Sequence, residues 1–304
     1  MPKIIIKTQI RILTIAVFIF TIFMSSLIIA NAVDHSKLPR FTKADKAANY
    51  IVEQLLKGER WINFDYVADD NKDAMVFLHK VHRMVNHLDN YCQIQDSGSP
   101  NKPKWDYCRM SINDLVKHYV HGPILYTEDE KPVYAGNAQC DRLISKKQEK
   151  KYDKKIKKVL KSLKLKNKST YKKIKTIHDY VIKRVKYKDG KYSHTAYGAL
   201  MKKKAVCDGY SLLFYDMCRR SGVHCKMILG KARGGKTWEN HAWNLVRLKK
   251  RWYSLDVTWD DKKPKTKRYN YFLKKCPMKK HRPQKYYRSK KFKKRFKLAK
   301  KDYN

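Results

Sequence analysis

A chain of 304 residues carries 71 lysines and arginines against 27 aspartates and glutamates, a formal net charge of +44. Its 42% hydrophobic content, with 21 Tyr and 6 Trp, supplies a sizeable core and excludes a disordered polyelectrolyte. The charge excess favours polyanionic surroundings, whether nucleic acid, lipid headgroups or phosphate-rich wall polymers, and carries no information on fold.

The first residues have the layout of an export signal. Lys3, Lys7 and Arg11 form a positive start, Ile12 to Ala30 is uncharged, and Ala30-Asn31-Ala32 offers small residues for cleavage. The apolar run also lies near the lower limit for a spanning helix. Residues 1–32 are therefore expected to be a signal peptide cleaved after Ala32, or else a retained membrane anchor. Either outcome makes the protein exported, secreted or held at the cell surface. That disfavours nucleic acid as a partner and favours an anionic cell-wall polymer or membrane surface.

Alanines and aliphatics at helical spacing predict a helix from Phe41 to about Lys57, ended by Gly58, then a strand over Trp61–Tyr66. A second helix is expected over Asp73–Leu88 and a loop over residues 95–104. Between Ser145 and Leu165 a lysine-rich helix carries one apolar stripe of Ile156, Val159, Leu160 and Leu163. Ser169 caps the next helix, which runs through Ile174, Ile177, Tyr180, Val181 and Val185. Residues 262–304 hold twenty Lys or Arg and one Asp. We divide the chain into the 1–32 segment, a mainly helical N-terminal region at 33–145, a candidate functional domain at 146–285, and a mobile basic tail at 286–304.

Seven cysteines, at 92, 108, 140, 207, 218, 225 and 276, are an odd number, so at least one is unpaired within the chain. None stands at Cys-x-x-Cys spacing, and no metal site is expected. Cys207 opens the most regular helix of the sequence: Tyr210, Leu213, Phe214, Met217 and Cys218 share one face, and Gly222 stands at its C-terminal cap. A thiol at a helix start feels the positive end of the dipole, which predicts a lowered pKa. Gly209 leaves space beside the sulfur, and Cys218 is expected to be a core thiol.

A nucleophilic thiol needs a base, and the base an orienting acceptor. Downstream, His241–Leu248 and Arg251–Thr258 form two predicted strands joined at Lys249-Lys250. A two-residue turn there sets His241 opposite Thr258, with Asp256 its diagonal neighbour about 7–8 Å away on the same face. The helix packed on this sheet would supply Cys207.

These residues resemble a family. "AVCDGYS", "HAWNLV" and "WYSLDVTWDD" are similar to the three signature blocks of the transglutaminase-like superfamily, in its bacterial exported branch. "YGAL" (Tyr197–Leu200) and "YFLKKCPMKKH" (Tyr271–His281) extend the likeness over about residues 169 to 281. The resemblance implies an α+β, papain-like transglutaminase core, with the Cys helix packed on an antiparallel sheet. It implies Cys207 as nucleophile, His241 as general acid/base and Asp256 as the residue orienting His241, with no cofactor. Asp208 stands where the family also uses Tyr, Trp or Gln, which leaves acyl-donor selectivity open. The calcium-binding apparatus of animal transglutaminases has no counterpart. Tyr197 is either a second oxyanion donor or a packing residue. Trp243, Trp252 and Trp259 are expected in the core or shielding the triad.

The implied activity is that of an exported cysteine acyl-transfer enzyme acting on protein or peptide amides through a thioester. Hydrolysis is favoured over crosslinking, because crosslinking needs an amine-binding groove the sequence does not reveal. The competing expectation is a catalytically silent wall-binding module that uses its basic surfaces, against which the intact Cys207, His241 and Asp256 argue.

Overall fold

The computed structural model describes residues 34–57, 59, 61–86, 118–128, 131–139, 144–261 and 268–303. The predicted export segment and the loop at 95–104 lie outside the described residues. Among the described residues, no helix is long and apolar enough to cross a membrane. The chain divides into two units, one of residues 1–86 and 114–140, the other of 87–113 and 141–304.

The first unit holds β1 (Arg40–Phe41), α1 (Ala44–Lys57), β2 (Trp61–Val67), α2 (Asn71–Asn86), β3 (His118–Glu128) and β4 (Lys131–Gln139). Both helices stand where periodicity placed them. A four-stranded sheet of order β1-β2-β4-β3 accompanies them, more strand than the mainly helical expectation provided for. Ala47, Ala48, Ile51 and Leu55 of α1 and Ile62, Phe64 and Tyr66 of β2 are buried, and Tyr66 stacks on Phe77 at 4.8 Å.

The second unit begins with α3 (Lys146–Ser162) and α4 (Thr170–Arg184). Ser145 caps α3 in a full capping box with Gln148, and Ser169 caps α4 by accepting from Lys172 N–H. On α3 only Tyr152, Ile156 and Val159 are buried, so the lysines face outward and one apolar stripe docks the helix. The segment continues through β5 (Lys186–Tyr187), a π-helical turn at Gly198–Lys202 and β6 (Lys204–Ala205) to α5 (Cys207–Arg220). Then come β7 (Cys225–Ala232), β8 (Glu239–Leu248), β9 (Arg251–Leu255), α6 (Val257–Asp261), β10 (His281–Pro283), α7 (Lys285–Arg288) and α8 (Lys290–Arg295).

Strands β10-β7-β8-β9 form one antiparallel sheet, and α5 packs on β7 and β8. Tyr210, Leu213, Phe214, Met217 and Cys218 are fully buried at that junction, each large side chain contributing roughly 1.5–3 kcal/mol. Polar ties fix the helix along its axis. Buried Asn244 of β8 donates to the Ser211 carbonyl at 3.1 Å. Asp216 accepts from Tyr152 of α3 at 2.7 Å and from Arg220 at 2.7 Å.

The sequence expected a free basic tail at 286–304, and there the fold differs. Residues 285–303 are folded onto the sheet: Tyr286, Tyr287, Phe292 and Phe296 are buried in one cluster with Trp243 and Trp252. The aromatic side chains enter this cluster while the lysines between them stay outside. Composition alone reports the lysines and hides the aromatic spacing.

Candidate active site

Cys207 is the first residue of α5, and Val206 occupies the N-cap without a side-chain cap bond. Valine caps poorly, so the N-cap residue leaves the first amides of the helix without a side-chain cap bond. Gly209 has a different role from the one expected. A Cβ there would collide with the Ser193 carbonyl oxygen and come within 2.8 Å of Ala205 Cβ. The glycine therefore lets the helix start press against the 193–195 backbone. Gly198 is equally constrained, since its Cβ would strike the Tyr192 carbonyl. That close approach explains the glycine of "YGAL". Tyr197 beside it is buried in the core against Tyr192 at 5.3 Å, in a packing position.

The hairpin between β8 and β9 has the expected register, with Leu248 opposite Arg251 and Asn244 opposite Leu255. The second strand ends sooner than predicted, at Leu255 instead of Thr258. Asp256 causes this: its Oδ1 accepts the Trp259 amide at 3.0 Å and its carbonyl accepts from Asp260 N–H. The aspartate thus caps α6 and stops the strand that Val257 and Thr258 would favour by propensity. Asp256 still reaches His241, whose Nε2 lies 2.7 Å from Asp256 Oδ2. With Nε2–H donating there, Nδ1 is the nitrogen left to accept a proton. The amide of Ala242, the residue after His241, lies near enough to Cys207 to favour its thiolate, and the Asp256 charge reaches the same sulfur. The fold thus brings all three candidate residues to one place.

Electrostatics at the site correct one expectation. Burial first, and then the Asp208 carboxylate beside it, pushes the Cys207 thiol up to about 12 despite the Ala242 amide. The thiol points at Asp208 Oδ1, 3.4 Å away, and Asp208 Oδ2 accepts from His194 Nδ1 at 2.8 Å. Desolvation and a neighbouring carboxylate outweigh the helix dipole, so the resting sulfur is a neutral thiol. Asp256 is shifted the other way. Burial opposes its ionisation, but His241 and then His281 outweigh that and hold the carboxyl well below the usual range.

His281, which the sequence offers only as the end of "YFLKKCPMKKH", joins this site. It lies on β10, opposite Ala232 of β7. Its side chain is fully buried, with Nε2 at 2.9 Å from the same Asp256 Oδ2. No local periodicity marks it, because the β10–β7 pairing joins segments some fifty residues apart. Its spacing from Asp256 within the family-like blocks was the available signal. Among the described residues, His241, Asp256 and His281 are the group whose donor atoms could surround a metal ion, all within 4.8 Å. Both imidazole nitrogens, however, contact the carboxylate oxygen itself at N–H···O lengths. Trp243 and Trp259 shield His241 at 6.1 and 5.6 Å between ring centroids, while Trp252 is core. A cavity of about 230 Å³ opens on His241, lined also by Tyr187, Glu239, Trp259, Tyr271 and Lys280. Cys218, expected in the core, is fully buried; burial and the neighbouring Cys225 push its thiol up.

Residues 157–257 match the profile of the transglutaminase-like superfamily. The kyphoscoliosis peptidases of Homo sapiens and Mus musculus are each 41% identical over 68 residues, 20% of this chain and 10% of theirs. The chain thus matches about a tenth of the length of these curated relatives. A crystal structure of a TGase is similar over 65% of this chain and 51% of that one, at 14% identity and a TM-score of 0.33.

Proposed function

Because residues 157–257 carry a domain of the transglutaminase-like superfamily, we propose that this enzyme performs cysteine acyl transfer on protein or peptide amide bonds, with hydrolysis as its main outcome. The observation that carries the reading is the His241–Asp256 hydrogen bond of 2.7 Å, formed beside a cysteine at an uncapped helix start.

The chemistry begins from the Cys207 thiol, which burial keeps protonated. As Cys207 sulfur attacks the amide carbon, its proton passes to His241 Nδ1, and Asp256 stabilises the imidazolium through Nε2–H. A high resting thiol pKa requires this transfer to accompany attack. The carbonyl oxygen, now negative, is held by the backbone amides at the start of α5. His241 then protonates the amide nitrogen, the C–N bond breaks and the amine departs, leaving a thioester on Cys207. Water enters, His241 takes its proton, and the new C–O bond displaces the sulfur, which recovers the proton from His241. An amine in place of water gives a transferred amide by the same steps. Asp208 beside the sulfur disfavours acidic acyl donors by like-charge repulsion. The apolar run of residues 12–30 and the net charge of +44 support action outside the cytoplasmic membrane at an anionic surface.

Incubation with a glutamine-containing peptide, with and without a primary amine, tests the reading. Peptide cleavage or ammonia release in the wild type, absent from Cys207→Ala at unchanged melting temperature, is the expected result. Amine incorporation exceeding hydrolysis would reverse the preference. A fully active Cys207→Ala would remove the mechanism.

A further inference from the structure

We infer that His281 is a positioning residue of this reaction, an imidazolium protonated at both ring nitrogens that shares Asp256 with His241 and tunes its proton affinity. The inference rests on the acyl-transfer reading for its catalytic meaning, though not for its charge state. Both ring nitrogens of His281 face acceptors: Nε2 meets Asp256 Oδ2 at 2.9 Å and Nδ1 meets the Lys279 carbonyl at 3.0 Å. A carbonyl and an ionised carboxylate can only accept, and a neutral imidazole has one N–H to give. A neutral ring would set a lone pair against a lone pair in a fully buried side chain, at the cost of an unmet buried acceptor. A second proton satisfies both contacts.

The surroundings suit a cation. Its charge is compensated by the buried Asp256 carboxylate. The rings of Trp259 and Trp243 lie 4.6 and 5.0 Å from its centroid and close it off from solvent. Asp256 therefore receives three donors, two imidazoles on Oδ2 and the Trp259 amide on Oδ1, which fix the carboxylate plane. Its negative charge is divided between two imidazoles. His241 gains less stabilisation as an imidazolium than a lone aspartate would give, and so returns its proton to the leaving amine more readily. The shared carboxylate exchanges some base strength for acid strength in a residue that must act as both.

The other titratable groups around this cluster are Cys207 and Asp208 on α5, Glu239 on β8, Asp260 on α6, and Tyr271 and Lys280 in the segment before β10. None is altered by replacing His281. A shift between wild type and variant thus reports the loss of one positive charge. Removing that charge makes proton release from each neighbour harder, whichever of Cys207 and His241 governs the profile.

Two measurements test the inference. Long-range proton–nitrogen correlation spectra of the wild-type protein at pH 7 should show both ring nitrogens of His281 protonated, and His241 protonated at Nε2 alone. A neutral His281 tautomer would overturn the inference, and this result needs neither activity nor a variant. In His281→Gln, the acid limb of kcat/KM for a peptide amide should move up by about one pH unit, with kcat reduced more than KM is changed. An unmoved acid limb in a variant that melts cooperatively at the wild-type temperature would also overturn it. Failure of the acyl-transfer reading would appear separately, as an active Cys207→Ala protein whose His281 spectrum is unchanged.

Discussion

Two buried aspartates stand at opposite ends of the five-residue helix α6, and the fold drives them in opposite directions. Asp256, ahead of the helix, is held well below the usual carboxylate range. Asp260, near its end, is pushed up to about 6. Burial raises both, so burial does not distinguish them. Asp256 has two imidazoles on one oxygen and a backbone amide on the other. Asp260 has one imidazole, His178, at 2.9 Å and the Tyr271 amide at 2.8 Å, and it also feels the charge of Asp256. The second imidazole on Asp256, and the like charge felt by Asp260, separate the two. His178 lies fully buried with its other nitrogen on Asp179, away from any cavity that reaches His241. The same residue pair therefore makes the proposed catalytic pair at one end of the helix and a buried link away from Cys207 at the other.

The broadest way to break this contrast is to delete residues 285–304. If residues 286–304 were the mobile basic tail expected from the sequence, their loss would spare hydrolysis of a small peptide. The buried Tyr286, Tyr287, Phe292 and Phe296 share a cluster with Trp243, which stacks on His241. Deletion should instead abolish both activity and the cooperative melt, removing the two aspartate sites together. A truncated protein with full activity would return the segment to the status of an appendage.

Single substitutions separate the ends. Asp256→Asn should lower kcat by about 10⁴-fold, the scale seen when a triad carboxylate is made neutral. Asp260→Asn should leave kcat within about threefold of wild type, because it touches neither Cys207 nor His241. Steady-state kinetics on one peptide amide decide this, and equal losses from both variants would dissolve the contrast.

The pH dependence of stability gives a smaller effect with a definite sign. Between its ordinary value near 3.8 and about 6, Asp260 binds a proton in the folded state more than in the unfolded one. Stability on its account falls as pH rises through that window, by about 2–3 kcal/mol in all. Asp256 is shifted downward, so its contribution is present above the ordinary carboxylate range and is lost as pH falls below about 4. Denaturant titrations from pH 3 to 7 should show Asp260→Asn removing the decline between 4 and 6 and Asp256→Asn removing the loss at the acid end. Parallel curves for both variants would refute the assignment.

Much of the second unit was legible in the sequence because its signals are local. Helical spacing after Cys207, the serine caps at 145 and 169, and the Lys249-Lys250 turn each act within a few residues, and all are present in the fold. What stayed hidden depends on competition or on distance. Val257 and Thr258 favour a strand, but Asp256 caps a helix over them. The dipole at Cys207 favours a thiolate, but burial and Asp208 reverse the shift. His281 becomes part of the site through pairing with β7. The β3–β4 hairpin lies in a stretch for which no element was predicted.

The segment after β10 also has a consequence for how the sheet meets other chains. Strand β9 is the edge of its sheet, and its outward backbone groups are taken by two late segments. Trp252 exchanges hydrogen bonds with Lys297 and Ala299 at 2.9 and 2.8 Å, and Ser254 exchanges two with Lys274. An open edge is a template for pairing with other chains. Without residues 297–299 in place, the Trp252 N–H and C=O would be open to any extended chain, and the exposed lysines around them would repel a second copy of this basic chain. The segment that seats Phe292 and Phe296 against the sheet therefore also covers the open edge of β9.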